Sequence, residues 1–364
     1  MQNVYSSPGR YTQGPDVTDQ LVSEMAFLGL VGPVLIVAGP TVTELLSERW
    51  KTIFETVGIP YAMYPFEGEC YMDAIDALAE SASISAVGTL LAAGGGKVID
   101  TTRAAAANLN KPFICCPTVA STDSPCSAIA VVYNPLGVYE TSHTCSRNPD
   151  LVLVDTEVIV QSPIRYFIAG MGDGLSTVFE ARACVQSGRE NLRGGRSTLA
   201  AAEIGELCYR TLMADGRAAL ADMQQRTVTP AFERVVEANT LLSGIGFESA
   251  GLAAAHGIHN AMTVGEGTHA YLHGEKVAFG VLVHLMLEEQ PAEVFEPVVG
   301  FCRDVGLPTT LGGVGLDAAD EATLRRIAEV ASEPESLVLN EPFAITPQKV
   351  YDALLAADRV GSAS

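Results

Sequence analysis

Four of the six histidines of this chain, His256, His259, His269 and His273, fall within eighteen residues, in the stretch AAAHGIHNAMTVGEGTHAYLHGEKVAFG. Neutral imidazole is the commonest protein ligand of a divalent transition metal, and a catalytic zinc takes three protein ligands and leaves a fourth position open. His256 and His259 stand three apart on a predicted helix and His269 and His273 four apart, and one open site cannot use all of them. Two of the four are expected to be ordinary core or surface histidines, as are His143 and His284. The remaining ligand must come from elsewhere, and a carboxylate suits the role. Asp173, in GMGDGLSTVFEARAC, lies between two glycines at a predicted helix start, where an N-cap aspartate is common. One turn further on the same face stands Thr177 rather than another histidine.

Two earlier segments have the makings of a nucleotide site. Gly94-Gly95-Gly96-Lys97 separates the apolar run LLAA from the helical stretch VIDTTRAAAANLN. Glycines there let backbone approach a ligand closely, and a following helix N-terminus favours an anion such as pyrophosphate. The turn matches neither common phosphate loop. A P-loop needs Gly at 91 and Ser or Thr at 98, where Leu91 and Val98 stand, and a GxGxxG needs Gly at 99, where Ile99 stands. The second segment, PTVASTDSPCSAIAVVY, offers the hydroxyls of Thr118, Ser121, Thr122, Ser124 and Ser127, with Asp123 its sole acid. Hydroxyl-rich loops often only satisfy their own backbone, but this one begins at a strand end, where α/β sheets collect ligands.

The elements that must position these residues fall into two halves. VLIVAG at 34–39 is a wholly apolar strand, and Pro40 suits the first position of a helix. That helix places Val42, Leu45, Leu46, Trp50, Ile53, Phe54 and Val57 on one apolar face and closes at Gly58. YAMYPF, a helix over 71–80, AVGTLLAA, a helix after Gly96 and PFICCP repeat the cycle, which implies right-handed crossovers and a parallel sheet. AIAVVY, the turn NPLG, VYE and LVLV read as a hairpin and a last strand. Beyond Ser162-Pro163 the period is helical, with segments near 173–187, 197–223, 229–246, 249–263, 275–288, 291–304, 317–332 and 347–357. An α/β domain over residues 1–160 and an all-helical domain over 161–364 are therefore expected, the tail GSAS being disordered.

Bulk properties narrow the partners. A formal charge of −21 repels nucleic acid and anionic membranes and favours a small-molecule substrate. The start, MQNVYSSPGRYTQG, carries no secretory pattern, and the apolar stretch from Phe27 to Ala38 falls short of the roughly 20 residues that span a bilayer. Eight cysteines without a CxxC spacing read as reduced core thiols of a cytoplasmic protein.

Taken together, GGGKVIDTTR, PTVASTDSP…SAIAVVY, AGMGDGLSTVFEA and AAAHGIHNAMT…THAYLHGEKVAFG resemble the zinc-dependent glycerol dehydrogenases of the iron-containing alcohol dehydrogenase and dehydroquinate synthase superfamily. SPGRYTQGPD and FEGEC at 66–70 match as well, so the resemblance runs from about residue 5 to about 350 in order and spacing. It implies a dinucleotide-binding α/β domain, a helical domain and an active site in the cleft between them. The zinc ligands it implies are Asp173, His256 and His273. Iron-type relatives place a histidine one turn after the aspartate, and Thr177 speaks for the three-ligand zinc type. Gly94, Gly95, Gly96, Lys97 and Asp100 would hold the pyrophosphate and ribose of NAD, with further contacts from Thr118, Ser121, Ser127, Ile129 and Tyr133. Asp123 would bond the polyol. The implied catalytic set is thus Asp123, Asp173, His256 and His273, and the implied assembly a homo-oligomer, in many relatives an octamer.

The implied reaction is NAD-dependent oxidation of glycerol, or a related vicinal diol, to dihydroxyacetone, the zinc acting as a Lewis acid. Two alternatives are a superfamily dehydrogenase for a phosphorylated polyol such as glycerol 1-phosphate, and a non-catalytic nucleotide- and metal-binding relative. The first needs basic residues near the metal, and the ligand-bearing segments offer Lys276 and little else. Two departures from the pattern stand out. The place after the first strand, where relatives carry a ribose-binding aspartate, reads Ala38-Gly39-Pro40-Thr41, which lowers the expected preference for NAD over NADP. Gly265-Glu266-Gly267 before THAYLHG would reshape the substrate pocket.

Overall fold

The computed structural model describes residues 2–134 and 138–363. Its first half alternates strand and helix as the periodicity requires: β1 (Tyr11–Gly14), α1 (Leu21–Leu28), β2 (Val34–Ala38), α2 (Pro40–Val57), β3 (Tyr61–Pro65), α3 (Met72–Ile84), β4 (Thr89–Gly94), α4 (Gly96–Asn108) and β5 (Phe113–Pro117). β6 (Ile129–Tyr133) and β7 (Tyr139–Thr144) form the expected antiparallel hairpin as a separate ribbon, and β8 (Leu151–Asp155) returns to the main sheet. Residues 135–137 of the NPLG turn lie outside the described residues.

The main sheet is parallel throughout, in the order β1-β8-β5-β4-β2-β3. Successive strand residues feed two different cores. Leu35, Val37, Leu90 and Ala92 face one apolar cluster, while Val34, Ile36, Ala38, Leu91 and Ala93 face another. Burial on both faces explains why these strands read as unbroken apolar runs. Strand order reverses between β2 and β4: the chain goes from β2 outward to β3, then crosses back to β4 and proceeds the other way. Loops at such a switch point diverge and leave a crevice at the strand C-termini. Here they are Gly39 and the turn at Gly94-Gly95.

Helices fill the rest of the chain. α5 (Thr156–Val160) leads into α6 (Ile164–Ser187), α7 (Leu199–Gln224) and α8 (Pro230–Glu237), which continues through a π-helical turn at Ala238–Leu242 into α9 (Ser243–Ala250). α10 (Ala254–Met262), α11 (His273–Leu287), α12 (Ala292–Val305), α13 (Glu321–Ala331) and α14 (Pro347–Ser362) complete it, with short 3-10 turns at Glu266–Ala270 and Leu337–Asn340. One apolar cluster runs from the sheet face at Val37 and Val152 through Phe167, Leu212 and Phe279 to Leu354, so the two halves share a core. Among the described residues no helix is long and apolar enough to cross a membrane. The cysteines are free, and burial pushes thiols such as Cys70 and Cys115 up to about 12, where they stay protonated and pack as small hydrophobes.

Four local expectations are corrected, and one strand went unread: β1 carries no alternating apolar pattern and is recognisable only as a parallel partner of β8. On α2, Leu46, Trp50 and Phe54 are buried, but Leu45 and Val57 face solvent, so the apolar stripe is narrower than its spacing suggests. The break expected at 247–248 lies instead at Gly251, whose φ of +113° ends α9. Asp173 is no N-cap: α6 starts nine residues earlier, at Ile164, because its glycines are tolerated in a helix that other backbone approaches closely. Within the tail, Gly361 and Ser362 are helical and not disordered, and a Cβ at Gly361 would lie 1.6 Å from the Thr309 carbonyl oxygen. Ser364 lies outside the described residues.

Candidate metal centre and cofactor crevice

Three helices converge on one carboxylate oxygen. Asp173 is fully buried midway along α6, and α11 begins beside it at His273. The next residue lets the two backbones touch, for a Cβ on Gly274 would stand 1.9 Å from the Ala169 carbonyl oxygen. α10 and α11 meet in the same way, with Gly280 against the Ala255 carbonyl at 2.4 Å for an added Cβ. Helices this close bring their side chains to a common point. His256 Nε2 lies 3.4 Å and His273 Nε2 3.1 Å from Asp173 Oδ1. All three ligand atoms lie within 4.8 Å of one another.

The proton positions decide what this cluster can hold. Nδ1 of His256 lies 2.7 Å from Glu180 Oε2 and donates to it. Burial would raise Glu180, yet the neighbouring His256 and His284 hold it below the usual carboxylate range, so it accepts. In the neutral ring, that bond turns the Nε2 lone pair toward Asp173. Asp173 Oδ1, though buried, accepts no hydrogen bond, while Oδ2 takes the backbone N–H of Asp123 at 3.0 Å. Burial would raise Asp173 too, but His273 and His256 overcome this and hold it well below the carboxylate range. Two imidazole nitrogens and an ionised carboxylate oxygen thus converge, and with both rings neutral they form a donor set that fits a divalent metal with further positions open.

Glu180 escaped sequence reasoning. Its signal was present: it lies two turns beyond Asp173 on the same helix, inside the apolar string STVFEARAC. Besides the His256 ring, its other oxygen accepts the backbone N–H of Ala253 and of His256, each at 2.9 Å, so one carboxylate caps α10 and orients its histidine. The other clustered histidines have different fates. His269 donates from Nε2 to the Thr263 carbonyl at 2.8 Å and leaves the centre. His259 packs edge-on against His273 with ring centroids 4.2 Å apart, and burial drives its pKa well down, so it is neutral. Thr177 Oγ1 bonds Ser243 Oγ at 3.0 Å, where a bulkier side chain would meet Gly246. His143 is half-buried on β7. The expectation that His284 is a satisfied core residue fails: it is buried and neither ring nitrogen has a hydrogen-bond partner.

A cavity of about 480 Å³ opens over the centre and is lined by Asp100, Asp123, Ser127, Ile129, His256 and His273 among others. The structure brings these six together. Asp123 is buried, and burial together with Asp173 pushes its carboxyl well up. Asp100 accepts from Arg103 Nη1 at 2.7 Å, Ser124 Oγ at 2.6 Å and the Val131 N–H at 3.0 Å, so it braces the hydroxyl-rich loop. The glycine turn lies next to that loop: Thr118 N–H donates to the Gly94 carbonyl, and Gly95 and Gly96 face Val119 and Thr122. Gly95 caps α4 without a side chain, leaving first-turn N–H groups directed at the crevice. Thr118 and Ser121 are buried beside it. Lys97 is paired with Glu69, and neither Lys97 nor Tyr133 lines the cavity. Lys276 is buried, and burial lowers its ammonium to about 8, so a phosphorylated substrate gains no exposed cation from it.

Comparison with known proteins covers nearly the full length of the chain. Residues 8–156 match the model of the iron-containing alcohol dehydrogenases. Glycerol dehydrogenase of Thermotoga maritima is 44% identical over 97% of this chain and 96% of its own length. Glycolaldehyde reductase of Halobacterium salinarum is 39% identical over 99% of this chain and 98% of its own. The crystal structure of a probable glycerol dehydrogenase from Sinorhizobium meliloti superposes with a TM-score of 0.93 at 39% identity, covering 99% of both chains.

Proposed function

The chain belongs to the iron-containing alcohol dehydrogenase family, and on that premise we propose that it oxidises glycerol, or a closely related vicinal diol, with NAD as hydride acceptor and zinc as its metal. The carrying observation is the convergence of Asp173, His256 and His273 on one point in a chain similar to glycerol dehydrogenases from end to end. Glycerol and NAD⁺ give dihydroxyacetone, NADH and a proton.

Asp173, His256 and His273 hold the metal, and Glu180 fixes the ring of His256. When bound, the metal supplies Lewis acidity at a substrate hydroxyl, and the nicotinamide supplies the carbon that takes the hydride. Asp123, tied to Asp173 through its own N–H and facing the cavity, holds the neighbouring hydroxyl and so favours a diol over a simple alcohol. Gly94, Gly95 and Gly96 give the pyrophosphate backbone N–H groups at the α4 N-terminus, and Thr118, Ser121, Ser127, Ile129 and Tyr133 complete the cofactor contacts. Lys97 serves through its pair with Glu69, and Asp100 by bracing the loop. Two histidines and one carboxylate with Thr177 in place of a fourth ligand support zinc over iron.

The test measures glycerol oxidation with NAD⁺ and dihydroxyacetone and glycolaldehyde reduction with NADH, together with metal content. Alanine at Asp173, His256 or His273 is expected to abolish turnover and remove one equivalent of metal, with the far-ultraviolet circular dichroism unchanged. His269→Ala, whose ring bonds only backbone, is expected to stay active. Full activity in His256→Ala or in metal-stripped protein would overturn the assignment, and iron in place of zinc would overturn the choice of metal.

A further inference from the structure

At the far end of α11 a second group of side chains shares the signature of the first. His284 is fully buried, and neither of its ring nitrogens has a hydrogen-bond partner. Its Nε2 lies 3.5 Å from Glu288 Oε1, one turn on at the helix end, and 3.4 Å from Glu341 Oε1. The ligand atoms of the three residues lie within 4.8 Å of one another. Glu341 is only 4% exposed, and its Oε2 is buried without a partner. Glu341 Oε1, the oxygen that faces His284, also accepts the Ala254 N–H at 3.1 Å, and the second oxygen of Glu288, Oε2, accepts from Gln290 Nε2 at 2.9 Å.

Charge decides what completes this group. Glu341 is buried and Glu288 only partly exposed, so beside a neutral imidazole the group places carboxylate charge away from water. Uncompensated charge is expensive away from water. Protonating the ring leaves two buried N–H groups without good acceptors, whereas a neutral ring bound through Nε2 leaves one. A divalent cation offsets that charge and takes the very lone pairs that face one another. As at Asp173, imidazole nitrogen and carboxylate oxygen stand 3.1–3.5 Å apart in no hydrogen-bond geometry. Glu341 borders a surface hollow of about 1040 Å³, lined also by Arg189 and Asn340, which gives an ion a way in.

We propose that His284, Glu288 and Glu341 form a second divalent-cation site, of a nitrogen-and-oxygen donor set suited to zinc, with a structural role. It clamps the end of α11 to the Leu337–Asn340 turn and the residue after it. That turn supports α10, for Val338 packs on Gly257 and Glu341 caps Ala254. The site therefore stiffens the seat of the helix that carries His256 without touching the reacting atoms.

Counting metal in the purified full-length protein tests this. After chelation and reloading with Zn²⁺ or Co²⁺ and removal of excess, wild type is expected to retain two ions per chain. Asp173→Ala and Glu341→Gln are each expected to retain one, and the double variant none. Added Zn²⁺ should raise the thermal midpoint of Asp173→Ala but not that of the double variant. Glu288→Gln, at the partly exposed helix end, stands in for Glu341→Gln if the latter fails to fold. One ion per chain in wild type with none left in Asp173→Ala overturns the proposal, as does an unchanged count of two in folded Glu341→Gln or Glu288→Gln.

Discussion

Asp123 and Asp173 are two buried carboxylates of opposite character. Asp173 faces two imidazoles and is held ionised, whereas Asp123 faces burial and the charge of Asp173 and is pushed up. Its carboxylate reaches no closer protein donor than Ser243 Oγ at 3.5 Å among the described residues, so it is available to a ligand. A hydrogen bond to a carboxyl that burial holds toward its neutral form contributes about 0.5–1.5 kcal/mol, or roughly 2- to 13-fold in rate. Asp123→Asn is therefore expected to lower kcat/KM for glycerol and 1,2-propanediol by that factor and to leave 2-propanol, with no second hydroxyl, nearly unchanged. Equal losses on diol and mono-alcohol would place the residue in service of the cofactor or the fold.

Between residue and molecule stands the junction of β2 and α2 at the sheet's switch point. Gly39 caps α2 without a side chain and with extended backbone, φ −75°. An added Cβ would meet only the Phe66 carbonyl oxygen, at 3.7 Å, so a side chain fits there. The place can take an aspartate that binds an adenosine ribose and repels a 2′-phosphate. Gly39→Asp is expected to raise the NAD-to-NADP ratio of kcat/KM by about tenfold, the worth of one charged hydrogen bond. Steady-state kinetics with both cofactors decide it. A wild type that already excludes NADP, with a ratio that the substitution does not move, would put the discrimination elsewhere. The nearest basic side chain on α2, Arg49, is engaged with Asp16, Asp19 and Asp155 and does not reward the phosphate.

On the scale of the whole molecule the sheet half and the helical half meet tightly. Gly170 of α6 lies against the loop after β5, where an added Cβ would stand 2.0 Å from the Ala120 carbonyl oxygen and 2.6 Å from Asn239 Nδ2. The Asp123–Asp173 bond and the Tyr11–Thr240 hydroxyl pair, at 2.9 Å, cross the same seam. Overpacking of a tight contact costs about 1–3 kcal/mol. Gly170→Ala is expected to lower stability by at least that amount, read from the urea midpoint, and to cut activity by displacing Asp123 from Asp173. Gly300→Ala on α12, where a Cβ meets nothing within 4 Å, is the control and should be neutral or slightly stabilising. A Gly170→Ala protein as stable and active as wild type would show that the seam is looser than its geometry.

Much of this protein was legible before any coordinates. Apolar runs of strand length, alternating with helical periods, set the parallel sheet, because strands covered on both faces have no polar side to show. The glycine turn, the hydroxyl-rich loop, the histidine cluster and the threonine at position 177 were all visible as residue types and spacings. Only the tertiary structure decided which of them meet. Helical spacing paired His256 with His259 and His269 with His273, yet the centre joins His256 and His273 from different helices to an aspartate far upstream. Periodicity reports which face of a helix is buried and says nothing of what lies opposite. That depends on helix crossings set by contacts such as Gly274 on Ala169 and Gly280 on Ala255. For the same reason Glu180 and Glu341, each from a distant segment, became partners of α10 only once the chain was folded.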